Sequence, residues 1–192
     1  MFKVIAFFSG AALMGLEIAG SRVLAPYFGS SVFVWGSLIG VLLAALSGGA
    51  YLGGRLADRV PDARALAVLL ALAGLVILAL PWVASGVNRW VFEARMGPRL
   101  GPLVASALMF LVPGVALGTV SPFLVRLSVS KVTEVGAVAG TIGALSTAGS
   151  VVGTLGTAFY LIPALGVRTI LLVMGAGLLV MGGLAVVGRR LK

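Results

Sequence analysis

The segment GLEIAGSRVLAPYFG, residues 15–29, places two charged side chains, Glu17 and Arg22, inside the first apolar run of the chain. A carboxylate within such a run has either a buried partner or a functional role if the run is a membrane helix. The composition of the whole chain decides whether this environment is a membrane.

The chain is 60% hydrophobic and 10% charged over 192 residues, whereas soluble domains are about 45–50% apolar and about 25% charged. This composition predicts an integral membrane protein. The sequence contains no cysteine and no histidine, which excludes disulfides, thiolate chemistry and imidazole metal sites, so we expect neither a metal nor a cofactor. The net charge of +9 does not indicate nucleic-acid binding, because the basic residues lie in short connections between apolar runs.

Six apolar runs approach or exceed the roughly 20 residues that a membrane-spanning helix needs. They cover residues 4–24, 32–52, 65–83, 103–124, 135–161 and 168–187. The pattern predicts an all-α bundle of six transmembrane helices, forming a single domain over residues 1–192. The first run is too long for a signal peptide and lacks a convincing cleavage site, so we expect it to remain as a helix.

The distribution of Lys and Arg predicts the orientation in the inner (plasma) membrane. With the N-terminus inside, the inner side holds Lys3, Arg55, Arg59, Arg64, Arg126, Lys131, Arg189, Arg190 and Lys192. The outer side then holds Arg22, Arg89, Arg95, Arg99 and Arg168. This excess of basic residues inside favours cytoplasmic N- and C-termini. Residues 88–101, NRWVFEARMGPRLG, alternate apolar and charged side chains and predict a short amphipathic helix in the outer interface.

Glycine is abundant, with 28 residues, and several lie four residues apart. Such pairs allow membrane helices to approach closely, and we expect packing at Gly36/Gly40, Gly49/Gly53, Gly114/Gly118, Gly136/Gly140 and Gly149/Gly153. Prolines are expected to break or bend two runs, at Pro81 in the third and at Pro113 and Pro122 in the fourth.

Depth arithmetic places the Glu17 carboxylate within the membrane. Glu17 lies about 20 Å along the first helix, past the midplane of a core about 30 Å thick. Arg22 can extend its side chain to the outer interface, but Glu17 cannot, so Glu17 faces the bundle interior. The same arithmetic predicts that the hydroxyls of Ser146, Thr147 and Ser150 lie at the level of Glu17. We therefore expect either a protonated packing residue at position 17 or a substrate- or proton-binding site. The candidate residues of that site are Glu17, Arg22, Ser146, Thr147 and Ser150.

The loop GGRLADRVPDAR, residues 53–64, contains a second group of charges. Asp62 is placed to cap the next helix. Gly54, Leu56, Ala57, Asp58 and Arg59 resemble the first half of the loop motif between helices two and three of the major facilitator superfamily. This resemblance implies that Asp58 and Arg59 latch cytoplasmic helix ends, and Arg126 is the expected partner of Asp58.

A second resemblance covers most of the chain. The segments GLEIAGSRVLAPYFGSSVFVWG, GGAYLGGRLADR, VALGTVSPFLVRL and AGTIGALSTAGSVVGTLGTAFYLIPALG resemble the membrane domain of bacterial fused transporter/spermidine-synthase proteins. This resemblance implies half of a major facilitator transporter. Because the sequence ends at Lys192, directly after the last apolar run, we expect no aminopropyltransferase domain and no enzyme activity.

Three functions are compatible with these patterns. The first is a homodimeric half-transporter for a small polar or cationic solute, related to polyamines only through the resemblance. The second is a membrane anchor or regulator of a separately encoded aminopropyltransferase-like protein. The third is a scaffold that does not transport, or one that interacts with lipids. The expected partners are the lipid bilayer, a second copy or a soluble partner, and a small-molecule solute, but not nucleic acid.

Overall fold

The structure, a computed structural model, describes residues 1–187. Arg189, Arg190 and Lys192, which contributed to the charge count, lie outside the described residues. Within residues 1–187 the chain is helical and has no strand. The helices are α1 (Phe2–Phe28), α2 (Val32–Arg59), α3 (Ala63–Glu93), α4 (Gly97–Gly118), α5 (Val120–Ser128), α6 (Val135–Gly156) and α7 (Ile162–Val187). A 3₁₀ turn (Val132–Glu134) precedes α6, and a π-helical turn (Thr157–Leu161) joins α6 to α7.

By length and composition, five helical stretches of the described chain could cross a membrane. They are α1, α2, α3, the combined stretch of α4 and α5 (Gly97–Ser128), and Val132–Val187. The predicted all-α class is confirmed, and the chain is a multi-pass bundle of apolar helices.

The last stretch, Val132–Val187, contains a chain reversal at Gly166. Its 56 residues would extend about 84 Å as one straight helix, far beyond a hydrocarbon core of about 30 Å. Gly166 has φ 72° and ψ 158°, a conformation that essentially only glycine adopts. Thr157 and Met174, on opposite sides of Gly166, both lie beside Gly15 of α1. The chain therefore folds back at Gly166, inside the connection predicted between the fifth and sixth runs.

Three of the five predicted glycine pairs pack inside the chain. A Cβ at Gly49 or Gly53 would clash with α4 and Thr119, one at Gly114 or Gly118 with α2, and one at Gly149 or Gly153 with α1. In contrast, Gly36, Gly40, Gly136 and Gly140 are exposed, and a Cβ added at any of them would have no atom of the described chain within 4 Å. These four residues lie on α2 and α6, and we refer to them as the outward glycines.

The fourth predicted run is interrupted between α4 and α5, at Thr119. Pro122 has no N–H to donate to the Gly118 carbonyl four residues earlier, so the regular hydrogen-bond ladder fails at that point. The Thr119 hydroxyl donates to the Ala116 carbonyl, with an O–O distance of 2.6 Å. The helices run without interruption through Pro81 and Pro113, so of the three prolines only Pro122 adjoins a helix boundary.

The predicted amphipathic helix over residues 88–101 is not a separate element. Residues 88–93 form the end of α3, which continues to Glu93, and residues 97–101 form the start of α4. The connection is a tight turn in which Arg95 has φ 51° and Gly97 has φ 78°. Phe92 of this segment joins an aromatic cluster, in which its ring lies 6.4 Å from the rings of both Tyr27 and Phe28.

Candidate membrane-embedded polar site

A trough runs along α1 between α2 and α6, and at one end α5 lies in it and contacts α1, α2 and α6. Both α2 and α6 pack against α1, but they do not contact each other within residues 1–187. The packing of α6 on α1 is parallel and close, because Gly149 lies against the Phe7 backbone and Gly153 against the Ala11 backbone. Two clefts open into this trough, one toward each end of the bundle.

Glu17 lies between these two clefts. Leu13, four residues before it, lines a cleft of about 210 Å³, and Ser21, four residues after it, lines a cleft of about 380 Å³. Residues four apart share one face of a helix, so Glu17 lies on the face of α1 that forms the trough floor. Its side chain is partly buried. It has no hydrogen-bond or ion-pair partner in the described part of the chain.

The predicted level of the α6 hydroxyls is wrong. The Ser150 hydroxyl donates to the Gly10 carbonyl, with an O–O distance of 3.3 Å, and Ser146 also lies beside Gly10. Gly10 is seven residues before Glu17, about 10 Å along α1. The predicted level was counted from the start of each apolar run. In the structure, the axial register of α6 on α1 is instead set by the glycine contacts between the two helices. Thr147 is exposed on α6.

Thr157 is the α6-side hydroxyl closest to the level of Glu17, and it was not among the residues predicted for the site. It is 2% exposed and lies beside Gly15, two residues before Glu17. Thr157 begins the π-helical turn Thr157–Leu161. Single π-helical turns inside α-helices occur frequently at functional sites, but they have no simple signature in one sequence.

Arg22 is exposed and lines the larger cleft together with Ser30 and Trp35. It forms no ion pair with Glu17, in agreement with their separation of about 140° around the helix. The structure thus places Arg22 toward the end of the trough, away from the carboxylate. The two charges that interrupt the first apolar run therefore have separate environments.

At the opposite end of the bundle, Asp58 and Arg126 form an ion pair with an Oδ1–Nε distance of 3.3 Å. The partner expected for Asp58 is therefore present. Both side chains are largely exposed, at 75% for Asp58 and 48% for Arg126, and Arg59 is exposed beside them. Asp62 caps α3 as predicted, since its carboxylate accepts a hydrogen bond from the Arg64 N–H at 2.9 Å. That the Asp58–Arg126 pair is a conformational latch stays a prediction.

Comparisons with known proteins give no match, whether with protein-family models, curated proteins or solved structures. The class that the fold defines is a multi-pass bundle of apolar helices. The resemblances stated from the sequence remain predictions.

Proposed function

We propose that the chain is a six-span half-transporter that acts as a homodimer on a small polar or cationic solute. The observation that carries this proposal is Glu17, a partly buried carboxylate without a partner among the described residues, on the floor of a trough that opens between α2 and α6. Ionisable groups within membrane segments mark ion or substrate pathways. In a membrane, a carboxylate on an open helix face needs a surface that shields it from lipid. A second copy of the chain would supply that surface.

Six spans follow if the reversal at Gly166 lies at the membrane surface, so that the residues before and after it form two crossings. Lys3 lines a cleft with Ser128 and Glu134, so the N-terminus lies at the same end of the bundle as Arg126. We propose that this end is cytoplasmic, because it holds the larger share of the basic residues.

The outward glycines support the homodimer. Small residues four apart allow close helix approach in lipid, and these pairs have no partner helix within residues 1–187. They lie on α2 and α6, the two helices that flank the trough. Closure of two copies over these faces would enclose Glu17 between them.

Proteoliposome flux tests the proposed function. Purified protein is first screened by thermal shift against polyamines, amino acids and lipids. The solute that stabilises it most is then measured for uptake into vesicles under an imposed pH gradient. We expect uptake that depends on the gradient and falls at least tenfold in Glu17→Gln. Equal uptake in protein-free vesicles, or no uptake of any stabilising solute, contradicts the proposal.

A second candidate, a membrane anchor for a soluble partner, is favoured by the exposed charges Arg55, Asp58, Arg59 and Arg64 at one end of α2 and α3. An anchor binds its partner without moving solute. Binding of a soluble partner that is lost in the double variant Arg59→Ala/Arg64→Ala, together with no measurable solute flux, would favour this function over transport.

A further inference from the structure

The larger of the two trough clefts, of about 380 Å³, contains one charged side chain, that of Arg22. Its volume lies within the roughly 300–1,000 Å³ of sites that bind small molecules. Arg22 of α1, Ser30 of the α1–α2 connection and Trp35 of α2 are the exposed polar residues that line it. Because all three are exposed, a ligand that enters the cleft can reach them.

The charge of Arg22 is not neutralised within residues 1–187. Arg22 forms no ion pair with any residue of that range, and no Asp or Glu lines the cleft. Charged side chains in membrane segments are paired with another group or mark the path of a ligand. The cleft therefore lacks a counter-charge, which a bound anion would supply.

The exposed polar side chains of the cleft offer mainly hydrogen-bond donors. A guanidinium group has five N–H donors and no acceptor, an indole has one N–H donor, and a serine hydroxyl can donate one hydrogen. The side chains of Arg22, Ser30 and Trp35 have no hydrogen bond in the described part of the chain. Ser21 also lines the cleft, but its hydroxyl already donates to the Ile18 carbonyl at 2.8 Å. This set of free donors favours an anion that is rich in acceptor oxygens.

The position of the cleft indicates which anion can reach it. Helix α1 has 27 residues and is about 40 Å long, which exceeds a hydrocarbon core of about 30 Å. Arg22 lies six residues before the last residue of α1, a distance of about 9 Å along the axis. Its side chain can therefore extend to the headgroup layer, where the phosphates of phospholipids lie. A guanidinium group binds phosphate through two parallel N–H···O bonds.

We propose that this cleft is a phosphate-binding site, in which Arg22 holds the anion and Ser30 and Trp35 donate further hydrogen bonds. The phosphate belongs to a phospholipid headgroup or to a soluble phosphate ester. This inference goes beyond the proposed function and does not rest on it, because its ligand is an anion and Glu17 does not hold it.

Two titrations of the detergent-purified protein test the site and distinguish the two sources of phosphate. Native mass spectrometry follows the binding of phosphatidylglycerol, with diacylglycerol of the same acyl chains as the probe without phosphate. Thermal shift follows stabilisation by dimethyl phosphate, a soluble diester.

We expect saturable binding of phosphatidylglycerol, little retention of diacylglycerol, and at least tenfold weaker phosphatidylglycerol binding in Arg22→Gln. Dimethyl phosphate binding with the same dependence on Arg22 would show that soluble esters also occupy the site. The proposal is overturned if neither phosphate binds in an Arg22-dependent way, or if diacylglycerol is retained as well as phosphatidylglycerol.

Arg89→Gln is the matched control for the loss of charge. Arg89 is exposed and follows Asn88, whose side-chain amide donates to the Val23 carbonyl at 3.0 Å. Arg89 therefore lies at about the level of Arg22, but on α3 and outside the cleft. We expect Arg89→Gln to bind both phosphates like the parent. Equal weakening in Arg89→Gln and Arg22→Gln would show only attraction to the net positive charge and would overturn the proposal.

Two conservative substitutions test the geometry of the site while keeping its charge or its ring. Arg22→Lys keeps the positive charge but loses the planar pair of N–H donors, and Trp35→Phe keeps an aromatic ring without the N–H. Weakening of phosphate binding by at least threefold in either variant supports the site. Trp90→Phe, at an exposed position on α3, is the control and should bind like the parent. Parent-like binding in both Arg22→Lys and Trp35→Phe would show that a diffuse charge suffices and would contradict a built site.

Discussion

At the scale of single residues, Glu17 is separated from Arg22 and from the α6 hydroxyls that were expected at its level. The α6 hydroxyls at Ser146 and Ser150 lie beside Gly10, and Arg22 lines a different cleft. A packing role for Glu17 depended on hydrogen bonds to those hydroxyls. Glu17 has no partner among residues 1–187, and its role as a proton or cation site stays a prediction.

Substitution of Glu17 should therefore change activity more than stability. We expect Glu17→Gln and Glu17→Leu each to change the free energy of unfolding by less than about 1 kcal/mol, because no partner is left unpaired. Uptake and its dependence on pH should be lost in both. Arg22→Ala is the control and should retain most uptake. Strong destabilisation by Glu17→Leu, measured by chemical unfolding in detergent, would restore the packing role.

The Asp58–Arg126 ion pair should contribute little to stability. Exposed pairs contribute about 0–1 kcal/mol, and both side chains are largely exposed. A double-mutant cycle with Asp58→Asn and Arg126→Gln should give a coupling energy in this range that falls at high salt. A coupling well above about 2 kcal/mol would indicate a shielded pair and a stronger link between the α2 and α5 ends.

At the scale of helices, glycine has two different roles on α6 alone. Gly149 and Gly153 contact the α1 backbone, whereas Gly136 and Gly140 face outward. The spacing is the same in both pairs, so only the partner helix distinguishes them. Alanine substitutions at the two pairs should therefore have different effects on the free energy of unfolding.

We expect Gly149→Ala to destabilise the monomer by about 1–3 kcal/mol, because its Cβ would overlap the Phe7 backbone. Gly140→Ala should be neutral or stabilise by up to about 1 kcal/mol, since alanine favours the helix and nothing in the described chain lies near the new methyl group. Denaturant unfolding in dilute detergent measures both. Equal effects in the two variants would contradict the α1–α6 register.

At the scale of the whole molecule, the outward glycines lie on α2 and α6, the two helices that flank the trough. This arrangement motivates the dimer, and it also gives a sharper test than cross-linking alone. Gly86 on α3 is likewise exposed, with no atom of the described chain near a Cβ there, but it lies on a helix that does not flank the trough.

Native mass spectrometry in lipid-like detergent should show a dimer for the parent chain. Gly40→Leu and Gly140→Leu should shift it to monomer, because a bulky side chain prevents close helix approach. Gly86→Leu should remain dimeric. A monomeric parent with retained flux, or equal effects of all three substitutions, would contradict the proposed dimer.

Membrane topology can be measured with single cysteines in this cysteine-free chain. Pro61, in the α2–α3 connection, and Ala94, in the α3–α4 connection, are both exposed. Ala94 has an ordinary helical backbone, whereas Gly97 nearby has φ 78°, which would strain a cysteine. A membrane-impermeant maleimide should label Ala94→Cys in intact cells and Pro61→Cys only after lysis. Labelling of both from one side would exclude the six-span topology.

The class of this protein is predictable from its amino-acid sequence alone. Composition and the lengths of the apolar runs predict a helical membrane bundle, because these are local or summed properties. Local hydrogen-bond chemistry also made the Asp62 cap predictable. The Asp58–Arg126 partner came from a family resemblance and the order of the helices.

Which glycines pack inside the chain and which hydroxyls lie near Glu17 could not be predicted from the sequence. Both depend on the axial register between α1 and α6, which is set by backbone contacts at Gly10, Gly149 and Gly153. A shift of one helical turn moves a side chain about 5 Å along the bundle. The first residue of a membrane helix cannot be located to within one helical turn from an apolar run alone. Depth counted along the sequence therefore could not place Ser146 and Ser150 relative to Glu17.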